Sequence, residues 1–267
     1  MEIIGYTASV LIGISLGLIG GGGSILTVPV LVYLFGIDAL LATEYSLFIV
    51  GVSSVVGSFS YLKKGLVDLK MSLIFGIPSI TSIFITRTYL LPLIPDELIQ
   101  IKSFLITKNI FLLLIFAGLM ILASYKMIRN NSSTVSPENH SDKNSLSAAG
   151  EGTIVGIVTG LVGAGGGFMI IPALVNLLKV PMKTAIGTSL VIISLNSLIG
   201  FASSINHSVI DWKLLMSITF IAVIGIVIGT HLSKRIDGKK LKPAFGWFIL
   251  VMGIYIITKE IYHILII

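Results

Sequence analysis

Cysteine is absent from the 267 residues, which excludes a disulfide framework, a thiolate metal site and a cysteine nucleophile. Charge is scarce as well. Asp, Glu, Lys and Arg make up 11% of the chain, where a soluble domain carries roughly 25%. Too little charge remains to cover a water-facing surface, so an ordinary soluble enzyme and a disordered chain are both excluded. The net charge of +6 does not indicate a nucleic-acid partner, because the 18 Lys and Arg are scattered in short segments between long apolar runs, as membrane flanks are. No HExxH motif is present and the four His are dispersed, so no metal site or cofactor is expected. What the chain does have is 55% hydrophobic residues and a mean hydropathy of +1.03. These describe an integral membrane protein whose first partner is the lipid bilayer.

Stretches free of Asp, Glu, Lys and Arg run over 3–37, 45–62, 71–86, 109–125, 152–178, 184–210, 214–233 and 243–258. A crossing helix takes about 20 apolar residues, fewer with snorkelling flanks. Six stretches fit one crossing each; 3–37 and 152–178 are too long for one and are interrupted by glycine. The opening Met1-Glu2-Ile3 lacks the basic start of a cleavable signal. From Asn130 to Ser147 the chain is polar and rich in Ser and Asn, the composition of a linker. It separates an N-terminal membrane half (1–129) from a C-terminal one (148–267).

The halves are related. A shift of 143 residues aligns 17–70 on 160–213 without a gap, with 18 of 54 positions identical. GLIGGGGSILTVPVLVYL matches GLVGAGGGFMIIPALVNL, followed by Ala42/Ala185, Ser46/Ser189, Gly57/Gly200, Asp68/Asp211 and Lys70/Lys213. Charge then bears on topology. If each glycine-broken stretch crosses once, the 18 Lys and Arg divide 8 against 10; if each enters and returns as a hairpin, they divide 13 against 5, a positive-inside bias. The expected fold is therefore an all-α polytopic membrane protein of two inverted repeats, each a Gly-broken helical hairpin plus three transmembrane helices. The linker would be cytoplasmic and both termini outside.

Irregular backbone at membrane depth persists only where protein or a water-filled cavity satisfies it. Gly20, Gly21, Gly22, Gly23 and Ser24 form one such break; Gly163, Ala164, Gly165, Gly166 and Gly167 form the other, with Pro29 and Pro172 soon after. A helix restarting there presents bare N–H groups and a positive dipole end, which suit an anion. Paired, the two breaks would make a small anion site near the midplane. Close helix packing is the competing explanation for the glycines. A phosphate loop is not indicated, since the Lys-Ser/Thr it needs is missing in both copies.

The G-x-G-G-G run, the following proline and an Ala-x-Gly-Thr-Ser-Leu block resemble the sulfite exporter TauE/SafE family of membrane permeases. The second half fits closely, through Gly163, Gly165, Gly166, Gly167, Pro172 and Ala185 to Leu190. The first keeps Gly20 to Gly23, Pro29, Ala42, Ser46 and Leu47 but has Glu44-Tyr45 where the second has Gly187-Thr188. The resemblance implies a secondary transporter of small, often sulfur-containing anions such as sulfite or organosulfonates, coupled to a proton or sodium gradient. It also implies residence in a bacterial inner membrane.

Within the spans, the register pairs Ser46, Ser53 and Ser54 with Ser189, Asn196 and Ser197. Thr188 and Ser189 belong to the family block, so Ser46, Thr188, Ser189 and Asn196 join the glycines as candidate substrate ligands. Glu44 reads first as an exposed acid in the opening turn of a helix; buried beside a cavity, it would instead carry a proton as a coupling residue. Asp68 and Asp211 read as helix N-caps. Arg87 ends a run, either snorkelling or attracting substrate from outside, and His207 and His231 sit at span ends. The alternatives to a permease are an intramembrane enzyme, for which Ser189 or Ser203 with His207 is the one conceivable pair, and a membrane scaffold. Neither explains a broken hairpin repeated in register.

Overall fold

The computed structural model describes residues 2–95, 97–101, 104–129, 142–163, 165–178, 180–205, 209–233 and 238–266. The first half consists of α1 (Glu2–Ile19), α2 (Gly22–Tyr33), α3 (Ala39–Leu62), α4 (Leu69–Leu93) and α5 (Lys108–Arg129). The second repeats the order with α6 (Asp142–Val162), α7 (Gly167–Pro172, running into a π turn at Ala173–Leu177), α8 (Met182–Ala202), α9 (Trp212–Leu232) and α10 (Gly238–Ile266). Among the described residues one element is not helical. A short antiparallel hairpin, β1 (Glu97–Ile101) with β2 (Phe104–Thr107), joins α4 to α5. α6 opens at Asp142, inside the stretch expected as linker; 130–141 lie outside the described residues, as do Ala164 and His207.

Five helices, α3, α4, α5, α8 and α9, are long and apolar enough to cross a bilayer, and the sixth expected span lies within α10. Their lipid-facing side is visible in Leu73 and Ile77 on α4 and Phe220 on α9, all exposed. α3 and α8 are the most enclosed, with 67% and 72% of their apolar windows buried, against 39–44% for α4, α5 and α9.

Both glycine-broken stretches are interrupted as expected: α1 stops at Ile19 and α2 starts at Gly22, while α6 stops at Val162 and α7 at Gly167 begins anew. The first is a hairpin. At its mouth the Tyr6 and Phe35 rings meet edge to face at 5.7 Å, and at its tip Gly23 packs on Ile12 and Leu16 of the outgoing helix. Tyr33 Oη fastens the mouth to α10 by donating to Glu260 Oε1 at 2.6 Å, with Lys259 Nζ 3.7 Å from the centre of its ring.

Contacts obey an exchange symmetry. Gly23 on Ile12 and Leu16 is matched, 143 residues on, by Gly166 on Val155 and Thr159. Gly13 and Gly17 seat α1 on Ala222, Ile226 and Thr230 of α9; Gly156 and Gly160 seat α6 on Ser79, Ile83 and Thr86 of α4. Each half therefore lays its first helix against the fourth helix of the other. Glycine permits this, because backbones touch where a methyl would not fit. The pairs α3–α8 and α5–α10 are their own counterparts and lie on the pseudo-two-fold.

Candidate functional site

The tips of the two hairpins meet. A Cβ on Gly21 would fall on the Gly167 carbonyl, and one on Gly167 would come within 2.6 Å of Gly21 Cα. Gly20 and its counterpart Gly163 adopt left-handed backbone, φ +80° and +71°, open to glycine at little cost. Each turns its helix end against the opposite half. Gly20 lies beside Ser189 Oγ (2.8 Å from an added Cβ) and Ile186; Gly163 lies against Thr43, the counterpart of Ile186. Gly165 sits between Ser197 Oγ (2.7 Å), Val50 and Ile193. Ser24 donates to the Gly21 carbonyl at 2.7 Å. The N-caps of α2 and α7, Gly21 and Gly166, supply no side-chain cap, as expected where glycine opens a helix.

The two axial helices, α3 and α8, carry buried polar groups, of which Ser189 and Ser197 lie at the breaks. The hydroxyls of Ser46, Ser53 and Ser54 on α3 and Ser197 on α8 are buried and make no hydrogen bond. Native interiors satisfy most such groups, so four along two contacting helices stand out, and Ser197 among them lies at Gly165 of the second break. Asn196 donates to Ser79 Oγ at 2.7 Å while its Oδ1 lacks a partner. Thr188 and Ser189 are committed locally. Thr188 Oγ1 accepts the Asp68 N–H at 2.9 Å, and Ser189 donates to the Ile186 carbonyl at 2.9 Å. Tyr45, in Thr188's place in the first half, accepts the Asp211 N–H at 2.6 Å. The departure from the family block at Tyr45 thus preserves a tether. Gly23 and Gly166 face their own hairpin helices rather than the junction.

Two expectations are corrected. Glu44 is not in a solvated opening turn; it lies in the second turn of α3 with 3% exposure. Arg87 does not snorkel outward. It is 2% exposed, in a π turn at Thr86–Leu90 that swings its side chain inward. Its Nη1 donates to Ser204 Oγ and its Nη2 to Thr43 Oγ1, each at 3.0 Å; Nε has no partner. Glu44 acts on the guanidinium electrostatically, as a buried cation in a membrane requires. An added Cβ on Gly163 would be 2.7 Å from Arg87 Nη2, so the guanidinium abuts the second break.

The family model described as Sulfite exporter TauE/SafE matches residues 6–256, through both breaks and both axial helices. The chain belongs to the sulfite exporter TauE/SafE family. It is similar to a probable membrane transporter protein of Xylella fastidiosa, 29% identical over 255 residues that cover 94% of this chain and 92% of the relative. A probable membrane transporter protein of Bacillus subtilis, YunE, is 27% identical over 261 residues (92% and 93%). Another, from Methanocaldococcus jannaschii, is 26% identical over 271 residues (96% and 93%). No solved structure matches.

This TauE/SafE protein is thus a membrane transporter with a glycine helix break in each half. Sequence reasoning found the breaks and the register of the hydroxyls. It missed Thr43 and Ser204, and it placed Arg87 at the surface; a π turn leaves no compositional signal that would have found it. Both serines conceivable as nucleophiles, Ser189 and Ser203, spend their hydroxyl protons on the carbonyls of Ile186 and Gly200.

Proposed function

We propose that this protein is a permease for small sulfur oxyanions, sulfite or organosulfonates, bound near the bilayer midplane between the two glycine breaks. The observation that carries the proposal is the meeting of Gly21 with Gly167 where the two breaks touch, with the buried, unpartnered Ser197 hydroxyl beside Gly165 of the second break. Hydroxyls and bare amides are the donors a tetrahedral or pyramidal oxyanion accepts from. A helix interface built for rigidity alone would not leave buried hydroxyls unsatisfied.

With Gly21 against the Gly167 carbonyl, no solute fits between those two residues, so this arrangement corresponds to a closed state. Transport then requires the hairpin tips to part, first toward one side and then the other. The exchange symmetry of the contacts, the hairpin path of α1 and α2 and the 13-to-5 division of cationic residues support an inverted repeat in a bacterial inner membrane, with the linker cytoplasmic. Of the two coupling ions, the proton has a buried acceptor in Glu44.

Purified protein in liposomes should accumulate radiolabelled sulfite or a sulfonate, faster with an inward proton gradient than without. Liposomes that take up none of these anions, with the protein folded and inserted, would refute the proposal.

A further inference from the structure

We propose that Arg87 is the cationic ligand of the transported anion and that Glu44 is its resident counter-ion, released from Arg87 by a proton as the anion arrives. This rests on the anion-permease reading and names the charged group of the same site.

Geometry is the first support. The guanidinium has five N–H donors in a planar fork suited to an oxyanion. Two are spent on neutral hydroxyls, Ser204 and Thr43, which an anion can displace or share. A third, on Nε, is wholly buried and unpartnered. The fork lies against Gly163, where the absence of a side chain opens the second break to it. The π turn that delivers Arg87 is itself a local irregularity of the kind that concentrates at functional sites.

The pseudo-symmetry supplies a second, independent support, because the charged pair occurs at one end only. Thr230 stands in the place of Arg87 in the other half, and its hydroxyl donates to the Val227 carbonyl. Tyr61 stands in the place of Ser204; its phenol donates to the Gly17 carbonyl at 3.2 Å and lies 2.8 Å from Ser233 Oγ. Among the described residues, that end is a plug of satisfied hydrogen bonds with no buried charge; Lys64 lies over the Tyr61 ring at 5.1 Å rather than in place of Arg87. At the other end a small serine replaces the tyrosine, and a cation fills the space. Gly187, the counterpart of Glu44, carries no charge to balance. Substitution of all three positions together is what an added anion site requires, and packing alone does not require it.

The sign of the proton linkage follows from charge. With Glu44 ionised, the pair is neutral and a third, negative group is unwelcome; with Glu44 protonated, the pocket carries +1 and attracts the anion. Anion binding therefore takes up a proton, and affinity rises as pH falls. Charged and titratable groups that interact with Glu44 include Arg87 from α4 and the Tyr45 phenol of its own helix, with Asp211 at the opening of α9 beyond Tyr45. From α6 and the end of α8, the neighbours of Arg87 are Gly163 and Ser204.

The test is titration of the detergent-purified full chain with sodium sulfite and sodium methanesulfonate between pH 5.5 and 8.5. Wild type should weaken by up to about tenfold per pH unit over part of this range, the limit for one linked proton. Glu44→Gln should bind methanesulfonate, which stays a monoanion throughout this range, more tightly at pH 7.5 and without pH dependence. Sulfite, which itself becomes bisulfite near neutral pH, reports affinity only. Arg87→Met alone strands a buried carboxylate and invites misfolding, so the informative variant is Arg87→Met with Glu44→Gln, which removes both charges. Its affinity should fall about 10- to 100-fold. If the double variant does not fold, Glu44→Gln decides: an unchanged affinity and pH profile overturns the proposal. So does a double variant that binds like wild type. If that happens while Ser54→Ala with Ser197→Ala still abolishes binding, the anion site stands and the part given to Arg87 falls. If wild type binds neither probe at any pH, both the inference and the permease reading fail.

Discussion

The four unpartnered serine hydroxyls separate function from stability residue by residue. A buried hydroxyl without a hydrogen bond contributes nothing to the fold, and its removal is neutral or stabilising. Ser54→Ala and Ser197→Ala should therefore leave the thermal unfolding midpoint in detergent unchanged or slightly raised, while initial uptake rates fall several-fold. A lowered midpoint with normal uptake would show that the hydroxyls are structural. These serines were legible in the sequence because the 143-residue register sets Ser54 on Ser197 and Ser46 on Ser189. Arg87 and Glu44 were not. A charge near the end of an apolar run looks the same in sequence whether it points to solvent or to a core, and the choice here is made by a π turn and by a partner on another helix. Thr188 shows the converse: it belongs to a recognisable block, yet its oxygen tethers the cap of α4.

For the helices, the sequence reading held where local chemistry decides the outcome. Glycine runs ended α1 and α6, and Asp68 and Asp211 cap α4 and α9 by accepting from Met71 N at 2.9 Å and Leu214 N at 3.1 Å. Asp68→Ala and Asp211→Ala should each cost about 1 kcal/mol of stability, whereas Asp68→Asn, which retains a capping oxygen, should cost a few tenths. Thermal unfolding of the three variants checks this; equal losses for Ala and Asn would mean that the charge matters rather than the cap. The β1–β2 hairpin was missed, because a short polar-flanked segment between two spans gives no periodicity long enough to distinguish strand from loop. Uncharged runs mark spans rather than helix ends: α10 extends from Gly238 to Ile266 around the expected span 243–258.

For the whole molecule, duplication was visible in the sequence but its spatial consequence was not. Alignment pairs each residue with its copy; it does not reveal that α1 packs on α9 and α6 on α4, each half clasping the other. That interlock leaves α3 and α8 the most enclosed of the spans. An inverted arrangement has a direct test, since the chain has no native cysteine and single cysteines report cleanly. Gly65→Cys, between α3 and α4, should react with an impermeant thiol reagent only from the cytoplasmic side, and Val209→Cys, between α8 and α9, only from outside. Reaction of both from one side would establish a parallel repeat and remove the rationale for opposed hairpins.

The central claim is that the anion lodges where the two broken hairpins touch. Substrate protection of Ser54→Cys and Ser197→Cys in proteoliposomes tests it most directly. Both positions should react slowly with a small thiol reagent as the tips part, and sulfite at concentrations that saturate uptake should slow that reaction while leaving Val209→Cys unaffected. Equal labelling of Ser54→Cys and Ser197→Cys with and without a transported anion would contradict the account and move the binding site elsewhere in the molecule.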